Sequence, residues 1–561
     1  MIDNIASSLQ EFRMIVNIAS SLMLVAPWPL LVVGLLVGIN ADDHARWVKS
    51  LSDGANWFAL LCSIAATVIY VTIPQHSQTY LLMHLPWELG SFAIRTLVNP
   101  LTLVMFMLVS FMGMIVSRYS ATYMVGDAHE GRFHRWLSLT VGAFLVLIVT
   151  DNIWGFWISF VAASLFLHQL LIFYRERPLA VIAARKKYLF SRIADVSLFT
   201  AFLLIARTTG RAEFSGIAQW MHAWHGNLPA NLQIATGLIV LCAILKSGTF
   251  PLQGWLIQVM EAPTQVSALL HAGLIYTGAF LLLRVSPMIT HVSWAWTVLI
   301  IAGLLSATVS SLMMMTETNI KESLAYSTSA QLGFMLMECG LGLYSIAVLH
   351  IVAHSVYKAH AFLSSGSVVD NFRGPMIQKL NTKQTLGRAE LAILISGLVT
   401  FGVAMAFGID LQKQPTLLTI GVIVAIAMGQ LLLQALNRSG VGAGTLLSRV
   451  ALLSIIVCSA YFGLHDLSTD LLGTSIPSDT LQADHIPIWL LALIVVAFLS
   501  LLHIQQLLPR LQKSPFWQAV YVDLYNGLYV DLVFSQMAFL HASKRGKTLG
   551  AANPQVLFPE E

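Results

Sequence analysis

Lysine and histidine residues stand inside strongly apolar stretches of this sequence in two places. Lys246 follows a run of seven apolar residues, and His350, His354 and Lys358 recur at every fourth position of another such stretch. A charged side chain inside a membrane is costly, because lipid cannot replace the water that the charge loses, so such residues usually mark a route for ions or protons. The two groups therefore predict a membrane protein that moves protons or ions.

Lys246 precedes residues that break helices. Gly248 and Pro251 follow it closely, and a broken helix inside a membrane is tolerated only where it lines a cavity or packs against protein. Loss of hydration favours the neutral form of a lysine, so this side chain would be able to gain and release a proton. The alternative is a structural lysine at a helix end whose ammonium reaches the membrane interface.

The spacing of His350, His354 and Lys358 places them on one face of a helix. Histidine titrates near neutral pH, so this row would form a proton relay together with water. His360 lies on a different face, and His271, in another apolar helix, would be an intermediate relay residue. The alternative is a set of core histidines bonded to backbone carbonyls. A zinc site fits the spacing, but no cysteine or carboxylate accompanies the row, so no metal is predicted.

Arg192 and Asp195 lie three residues apart and are predicted to pair on one helix. The pair is either structural or serves to adjust the proton affinity of Lys246. Lys321 stands at a predicted helix start and would link the relay residues laterally. The four cysteines are far apart and show neither a disulfide framework nor metal-ligand spacing: Cys62, Cys242, Cys339 and Cys458.

Composition predicts an all-α polytopic membrane protein. Hydrophobic residues make up 57% and charged residues 10% of the 561 positions, whereas a soluble domain has about 25% charged residues. The net charge of +4 does not indicate nucleic-acid binding, since the basic residues lie in short loops. No nucleotide-binding loop is present. No secretory signal peptide is expected, because no Lys or Arg precedes Arg13.

Apolar stretches long enough to cross a bilayer, roughly 20 residues each, predict about 15 transmembrane helices. Most of the 31 Lys and Arg residues, including Arg185, Lys186 and Lys187, are assigned to loops on one side, which places the C-terminus in the cytoplasm. The predicted spans are 22–39, 56–74, 99–117, 136–150, 153–173, 188–206, 231–248, 264–285, 294–315, 323–341, 344–368, 389–408, 416–436, 445–463 and 486–508.

The two ends of the chain differ from its apolar centre. Residues 1–21 are predicted to form an amphipathic helix, and the tail 509–561 follows the last span. The tail is predicted to bind a cytoplasmic partner, or alternatively to pack on its own bundle as a lid. Its aromatic and acidic residues are the candidate contacts: Tyr521, Asp523, Tyr525, Tyr529 and Asp531.

Several strings of this chain resemble the proton-conducting subunits of respiratory complex I and of multisubunit cation/proton antiporters, the NuoL, NdhF and MrpA type. The resemblance covers roughly residues 95–370. It implies two inverted five-helix repeats, 136–290 and 291–463, each with a broken helix, between N-terminal transmembrane helices at 22–135 and an outer loop with the last transmembrane helix at 464–508. The strings that carry it are Ser117-Arg118-Tyr119, Asp151-Asn152, Ser191-Arg192-Ile-Ala-Asp195, Lys246 to His271, Lys321 to Gly333 and His350 to Gly366.

Departures from this pattern indicate a diverged branch. The family carries a glutamate on its fifth span where this chain has Val161, and His168, two turns along, is a weak candidate replacement. Gln265 stands where a proline is usual, and the interiors of the spans at 389–408 and 416–436 hold no charged residue. The tail is also too short for the long lateral helix of the complex I subunit.

The branch that these strings resemble most is DabB, the membrane subunits of Dab inorganic carbon pumps. The resemblance implies a non-enzymatic subunit of the bacterial inner membrane that uses proton or sodium flow to drive hydration of CO2 to bicarbonate. The hydration would take place in a DabA-like cytoplasmic partner that holds zinc, and this chain itself would bind no cofactor. The alternatives are a subunit of a respiratory NADH or ferredoxin dehydrogenase or cation/proton antiporter, and a non-conducting anchor for a cytoplasmic enzyme.

Overall fold

The computed structural model describes residues 18–72, 78–84, 91–365, 386–408, 414–438, 443–473, 475–477, 486–511 and 514–534. The predicted amphipathic helix at 1–21 lies almost wholly outside these residues, as does the tail beyond residue 534. Within them, nearly all elements are helices packed into one apolar core.

The helices are, in chain order, α1 (Ile18–Leu35), α2 (Ala45–Thr72), α3 (Pro100–Tyr123), α4 (Glu130–Val149), α5 (Ile153–Leu171), α6 (Pro178–Thr209), α7 (Phe214–Ala223), α8 (Ala230–Ser247), α9 (Gly254–Gln258), α10 (Thr264–Ala272), α11 (Thr277–Arg284), α12 (Ser286–Ile289), α13 (Ser293–Thr316), α14 (Ile320–Gly340), α15 (Tyr344–Leu363), α16 (Leu386–Ala406), α17 (Pro415–Arg438), α18 (Ala443–Leu472), α19 (Ile488–Leu511) and α20 (Pro515–Tyr525).

Among the described residues, 12 helical segments are long and apolar enough to cross a membrane, one of them formed by α10 and α11 together. Every predicted span coincides with a helix, so the all-α polytopic architecture is confirmed, while the predicted count of about 15 exceeds these 12. The helix at the predicted span 323–341, α14, is too polar to qualify. For α16 and α17 the 12 rest on residues 393–406 and 415–430 alone, so these two helices are not counted, although they are 21 and 24 residues long.

A β-hairpin that sequence reasoning did not predict precedes α3. Strand β1 (Gln78–His84) pairs antiparallel with β2 (Ser91–Thr96). The end of β2 joins the bundle, because Arg95 forms a 2.9 Å ion pair with Asp151, which is fully buried at the start of α5. Asp151 also accepts hydrogen bonds from the amide and hydroxyl of Ser215. These contacts tie the hairpin to the helices on one side of the bundle.

The structure has two helix breaks: the one that the sequence predicts after Lys246, and a second one at Gly273. Helix α8 ends directly after Lys246, at Gly248, whose left-handed backbone (φ +57°) suits a residue without Cβ. The next span is also interrupted: α10 ends at Gly273, and a short 3₁₀ turn, Leu274–Tyr276, leads into α11. The two breaks leave backbone groups and side chains free to line a polar interior.

Lys186 and Lys187 do not lie in a loop, and the prediction that placed them there is wrong. Helix α6 begins at Pro178, so both lysines stand in its third turn, and their exposed fractions are 1% and 5%. At 1.5 Å per residue the 32-residue helix is about 48 Å long, well beyond the roughly 30 Å of a hydrocarbon core. The first turns of α6 therefore precede the predicted span 188–206, and they are buried by contacts with other parts of the protein.

Candidate functional site

Lys246, Asp195 and Arg192 form one buried ionic cluster between α6 and α8. The Asp195 carboxylate lies 3.0 Å from Lys246 Nζ and 2.7 Å from Arg192 NH2. Its side chain is 5% exposed and that of Lys246 is 9% exposed. The predicted pairing of Arg192 with Asp195 is confirmed, and the carboxylate also holds Lys246 from the neighbouring helix. The Lys246 ammonium in addition lies 4.2 Å from the centre of the Phe160 ring, a cation–π contact.

A cavity opens beside this cluster. Its volume is about 40 Å³ for the centres of water-sized molecules, enough for about three waters. Lys246 contributes to its wall from α8 and Trp255 from α9, while Leu270 of α10, the 3₁₀ turn and Thr277 of α11 close it. The indole N–H of Trp255 is buried without a hydrogen-bond partner, which suits a cavity that contains water.

Lys187, a residue that sequence reasoning missed, lines the same cavity. Its Nζ donates to the carbonyl oxygen of Ser164 at 2.7 Å and to the Ser164 hydroxyl at 3.0 Å. Ser164 lies on α5, the helix that also carries Val161 and His168. The α5 residues of the cavity wall are Phe160, Ala163, Ser164 and Leu167. Neither Val161 nor His168 is among them; the His168 ring instead packs against Tyr188, at 5.4 Å between ring centres.

The histidine row runs along one face of α15, as predicted. The rings of His350 and His354 lie 6.0 Å apart, and Lys358 follows one turn later. Lys358 is buried and donates to the carbonyl oxygen of Leu324 at 2.8 Å and to the hydroxyl of Ser327. His360 is exposed on another face of the helix.

His354 connects the row to the broken segment between α10 and α11. The hydroxyl of Tyr276 lies 2.6 Å from His354 Nδ1 and donates to the backbone carbonyl of His271 at 2.8 Å. A phenol has one proton to donate. When Tyr276 donates that proton to the His271 carbonyl, the proton in the hydrogen bond between Tyr276 and His354 must belong to His354 Nδ1. The buried His271 ring stacks on Phe362, with 4.5 Å between ring centres. His271 therefore lies beside the row, as predicted.

Glu338 of α14 is a second residue that sequence reasoning missed. Its carboxylate, 2% exposed, lies 3.0 Å from His350 Nδ1, and His350 Nε2 lies 2.8 Å from the side-chain oxygen of Gln331. Glu338 thus joins α14 to the row on α15. The signal was available in the sequence, since Glu338 is an acid within the apolar run Met-Leu-Met-Glu-Cys.

The two polar groups lie on opposite sides of the broken α10–α11 segment. Leu270, Leu274 and Thr277 face the cavity of Lys246, while His271 and Tyr276 contact the histidine row. Residues on both sides of the break at Gly273 thus contribute to each of the two groups. Lys321 lies away from both groups, where its Nζ donates to the Thr264 hydroxyl at 3.0 Å and joins the starts of α14 and α10.

Residues of the predicted partner-binding tail lie both on the bundle and on its surface. Asp531 accepts from Lys186 Nζ at 2.7 Å and from the side-chain amide of Gln258 at 2.7 Å, and Tyr521 donates to the carbonyl of Thr316 at 3.2 Å. The remaining candidates are exposed: Asp523, Tyr525 and Tyr529. The segment 514–534 therefore packs on its own bundle, as in the lid alternative, and still presents an aromatic and acidic surface.

Among the residues that the structure describes, no three His, Cys, Asp or Glu side chains come together in a way that would hold a metal ion. The row on α15 supplies two imidazoles and the neighbouring Glu338 one carboxylate, and each already has a protein partner. The site is thus a set of titratable groups linked by hydrogen bonds and ion pairs.

Comparison with protein families gives two matches. The family described as "NADH:quinone oxidoreductase/Mrp antiporter, TM" matches residues 150–409, and "NADH-Ubiquinone oxidoreductase (complex I), chain 5 N-terminus" matches residues 88–134. The first match contains both polar groups. The chain is thus an antiporter-like membrane subunit of an ion-conducting type.

Comparison with curated proteins shows which members of this family the chain is similar to. The "probable inorganic carbon transporter subunit DabB2" of Halothiobacillus neapolitanus is 38% identical over 92% of this chain and 93% of its own length. The corresponding DabB subunit of Hydrogenovibrio crunogenus is 43% identical over 49% of this chain and 53% of its own length. A chloroplast "NAD(P)H-quinone oxidoreductase subunit 5" from Physcomitrium patens is 31% identical over 62% of this chain and 49% of its own length.

A solved structure shares the fold. The Mrp complex from Dietzia sp. DQ12-45-1b superposes with a TM-score of 0.61 and 22% identity, over 97% of this chain and 61% of the solved chain. The antiporter-like fold implied by the sequence motifs is thereby confirmed.

Proposed function

We propose that this chain, which belongs to the family of DabB inorganic carbon transporter subunits, conducts protons or sodium ions and so drives uptake of inorganic carbon by a complex. The ion flux would drive the hydration CO2 + H2O → HCO3⁻ + H⁺ in one direction, in a DabA-like cytoplasmic partner that carries the zinc. The complex would lie in the bacterial inner membrane, with the tail of this chain in the cytoplasm.

The observation that carries the proposal is the buried Lys246–Asp195 pair at a helix break beside a water-sized cavity. A permanently charged structural lysine would have no need of a cavity or of a broken helix. A lysine that alternates between a carboxylate and enclosed water can accept a proton on one side and release it on the other. Arg192, bound to the same carboxylate, competes with Lys246 for it and eases that release.

The histidine row would continue the path laterally. Glu338 pairs with His350 at 3.0 Å, the rings of His350 and His354 are neighbours, and Tyr276 bridges from His354 to the broken segment. Lys358 ends the row. His271, stacked on Phe362 beside the row, would be an intermediate relay residue, and Lys321, which joins the starts of α14 and α10, would link the relay residues laterally.

The tail would couple ion flow to the partner. Its exposed tyrosines stack, with the rings of Tyr521 and Tyr525 at 6.4 Å. Leu528 and Tyr529 both adopt positive φ angles, 54° and 56°, a conformation that costs of order 1–3 kcal/mol per non-glycine residue. Strain of this kind persists only where surrounding contacts hold it, and it favours a binding role for this turn. Aromatic residues such as these tyrosines are enriched at protein interfaces.

The available energy suffices for such a pump. One elementary charge that crosses 100 mV releases about 2.3 kcal/mol. Since about 1.4 kcal/mol corresponds to a tenfold change in an equilibrium constant, each charge coupled to hydration would shift the CO2–bicarbonate equilibrium by roughly 50-fold.

The test is growth at ambient CO2 of a carbonic-anhydrase-deficient bacterium that expresses this chain together with the protein encoded beside it. Wild type should restore growth, and Lys246→Ala should not, with the complex still assembled as judged by co-purification. Lys49→Ala is the matched control, because Lys49 also pairs with a carboxylate, Glu130 at 2.9 Å, but lies away from the cavity. That variant should grow like wild type.

Two other outcomes would contradict the proposal. Failure of the wild-type complex to restore growth would favour a respiratory or antiporter subunit, and co-purification with many small membrane subunits would support that alternative. Restoration by wild type and Lys246→Ala alike would favour a passive anchor, in which case only deletion of 515–534 should abolish growth.

A further inference from the structure

We propose that Lys187 is a second proton-carrying residue of the cavity and exchanges a proton with Lys246 through the enclosed water. This inference rests on the proposed function, because it names a further residue of the same ion path. The sequence motifs of the family point to Lys246, whereas Lys187 was assigned to a loop until the structure placed it in the cavity wall.

The hydrogen bonds of Lys187 suit a side chain that loses and regains a proton. Its two acceptors are the carbonyl and hydroxyl oxygens of Ser164, both neutral. A neutral lysine keeps two N–H groups, so it can maintain both bonds after deprotonation while its lone pair turns toward the cavity. Protonation then adds a third N–H that points at cavity water. The protein contacts of Lys187 thus do not have to break during the transfer.

The charges around the cavity favour such a transfer. Lys187, Lys246 and Arg192 are three basic groups, and in the described part of the chain the ion pairs join only Asp195 to two of them, Lys246 and Arg192. Lys187 is 5% exposed and has no carboxylate in an ion pair with it among these residues. Burial of an uncompensated charge costs several kcal/mol, and a second lysine across the cavity adds repulsion. It is therefore easier for Lys187 and Lys246 to carry one positive charge between them than for both to be charged at once.

The position of Lys187 gives the exchange a direction. It precedes Asp195 by eight residues on α6, about 12 Å along the helix. It lies toward the end of α6 that follows the basic loop with Arg175 and Arg177, on the side predicted to face the cytoplasm. Lys187 is thus placed between that side and the Lys246–Asp195 pair. On this side α5 contributes Ser164, whose carbonyl and hydroxyl oxygens both accept from Lys187.

The test measures proton flux in lipid vesicles that hold the purified complex, with an entrapped pH-sensitive dye and an imposed potential. Lys187→Met removes the titrating group, and Lys187→Arg keeps a charge that does not leave at any relevant pH. Both should lower proton flux at least tenfold. Lys187→His restores a titrating group with a lower proton affinity, so flux should return in part with its optimum at lower pH. Arg185→Met, on the exposed face of the same turn, is the control and should conduct like wild type.

The outcomes separate this inference from the function on which it rests. If Lys246→Met abolishes flux while the methionine and arginine variants at 187 conduct normally, the ion path stands and the role of Lys187 is wrong. If Lys187→Arg alone restores the flux lost in Lys187→Met, the lysine is a structural cation and the inference is overturned. If Lys246→Met also conducts normally, the proposed function itself fails. The histidine variant keeps the test decisive even where the methionine variant does not assemble.

Discussion

The contact between Asp531 and Lys186 should determine how firmly the segment 514–534 stays on the bundle. Lys186 Nζ lies 2.7 Å from both carboxylate oxygens of Asp531, and Gln258 donates to the same carboxylate at 2.7 Å. Gly254 lies directly beneath, where an added Cβ would run into the carboxylate. Asp531→Ala removes all of these bonds and leaves Lys186, 1% exposed, without the acid.

The expected cost follows from the burial of the two partners. A hydrogen bond to a charged group contributes about 1.5–3 kcal/mol, and breaking a fully buried ion pair costs about 3–5 kcal/mol. Asp531 is 30% exposed, so the value should fall toward the lower range, about 2 kcal/mol. With 1.4 kcal/mol per factor of ten, the fraction of molecules with the segment detached should rise roughly 30-fold.

Hydrogen–deuterium exchange of the intact complex, followed by mass spectrometry, measures this opening. Amides of 526–534 should exchange roughly 30-fold faster in Asp531→Ala, since exchange from a locally opened state reports its free energy. Asp523→Ala, which removes an exposed acid of the same segment, should leave the rates unchanged. In a Lys186→Met background, Asp531→Ala should cost much less, because no buried ammonium is then left without its acid.

Equal exchange rates in Asp531→Ala and wild type would refute this reasoning. They would mean that the apolar contacts hold the segment, such as that between Phe534 and Phe190 at 5.4 Å between ring centres. Additive effects of the two substitutions would equally show that Lys186 and Asp531 do not interact in solution.

Three further expectations concern single residues. Glu338→Gln should lower proton flux in vesicles by at least tenfold, because it removes the buried carboxylate that pairs with His350 at 3.0 Å. Tyr276→Phe removes the hydroxyl bonded to His354 and should reduce flux several-fold while the complex still purifies intact. In the loop after α13, burial, aided by a neighbouring glutamate, raises the pKa of Glu317 from 4.5 to about 7. The folded state therefore holds this proton where the unfolded state has lost it, so the contribution of Glu317 to stability falls as pH rises from about 4.5 to 7. Glu317→Gln should remove that part of the pH dependence of thermal unfolding.

The helices of this chain could be predicted because their signal is local. Apolar stretches of span length coincide with helices throughout, and Gly248 and Pro251 mark the break after Lys246 correctly. The positions of Lys186 and Lys187 could not be predicted in this way. Adjacent lysines near a span end are typical of a cytoplasmic loop, and only the length of α6 and the helices packed around it bury them.

The contacts of the site also differ in whether a local sequence pattern predicts them. The pairing of Arg192 with Asp195 follows from a three-residue spacing on one helix, and the sequence predicts it. The contact of Asp195 with Lys246 joins two helices, and that of Glu338 with His350 also crosses from one helix to the next. Such contacts depend on how helices are rotated against each other, which no local pattern encodes. An acid in an apolar run, as at Glu338, nevertheless indicates that a partner must exist.

Two consecutive lysines connect the tail to the cavity beside Lys246. Successive residues of a helix point about 100° apart, so Lys186 reaches Asp531 of the tail while Lys187 reaches the cavity of Lys246. A partner that binds the exposed tyrosines and pulls Asp531 from Lys186 would add an unpaired charge one residue away from the cavity. That charge would oppose a proton on Lys187, so binding of the partner and loading of the cavity would become energetically linked. A passive anchor requires no such link. Proton flux in Asp531→Ala vesicles that differs from wild type, with Asp523→Ala unchanged, would thus distinguish a coupled subunit from an anchor.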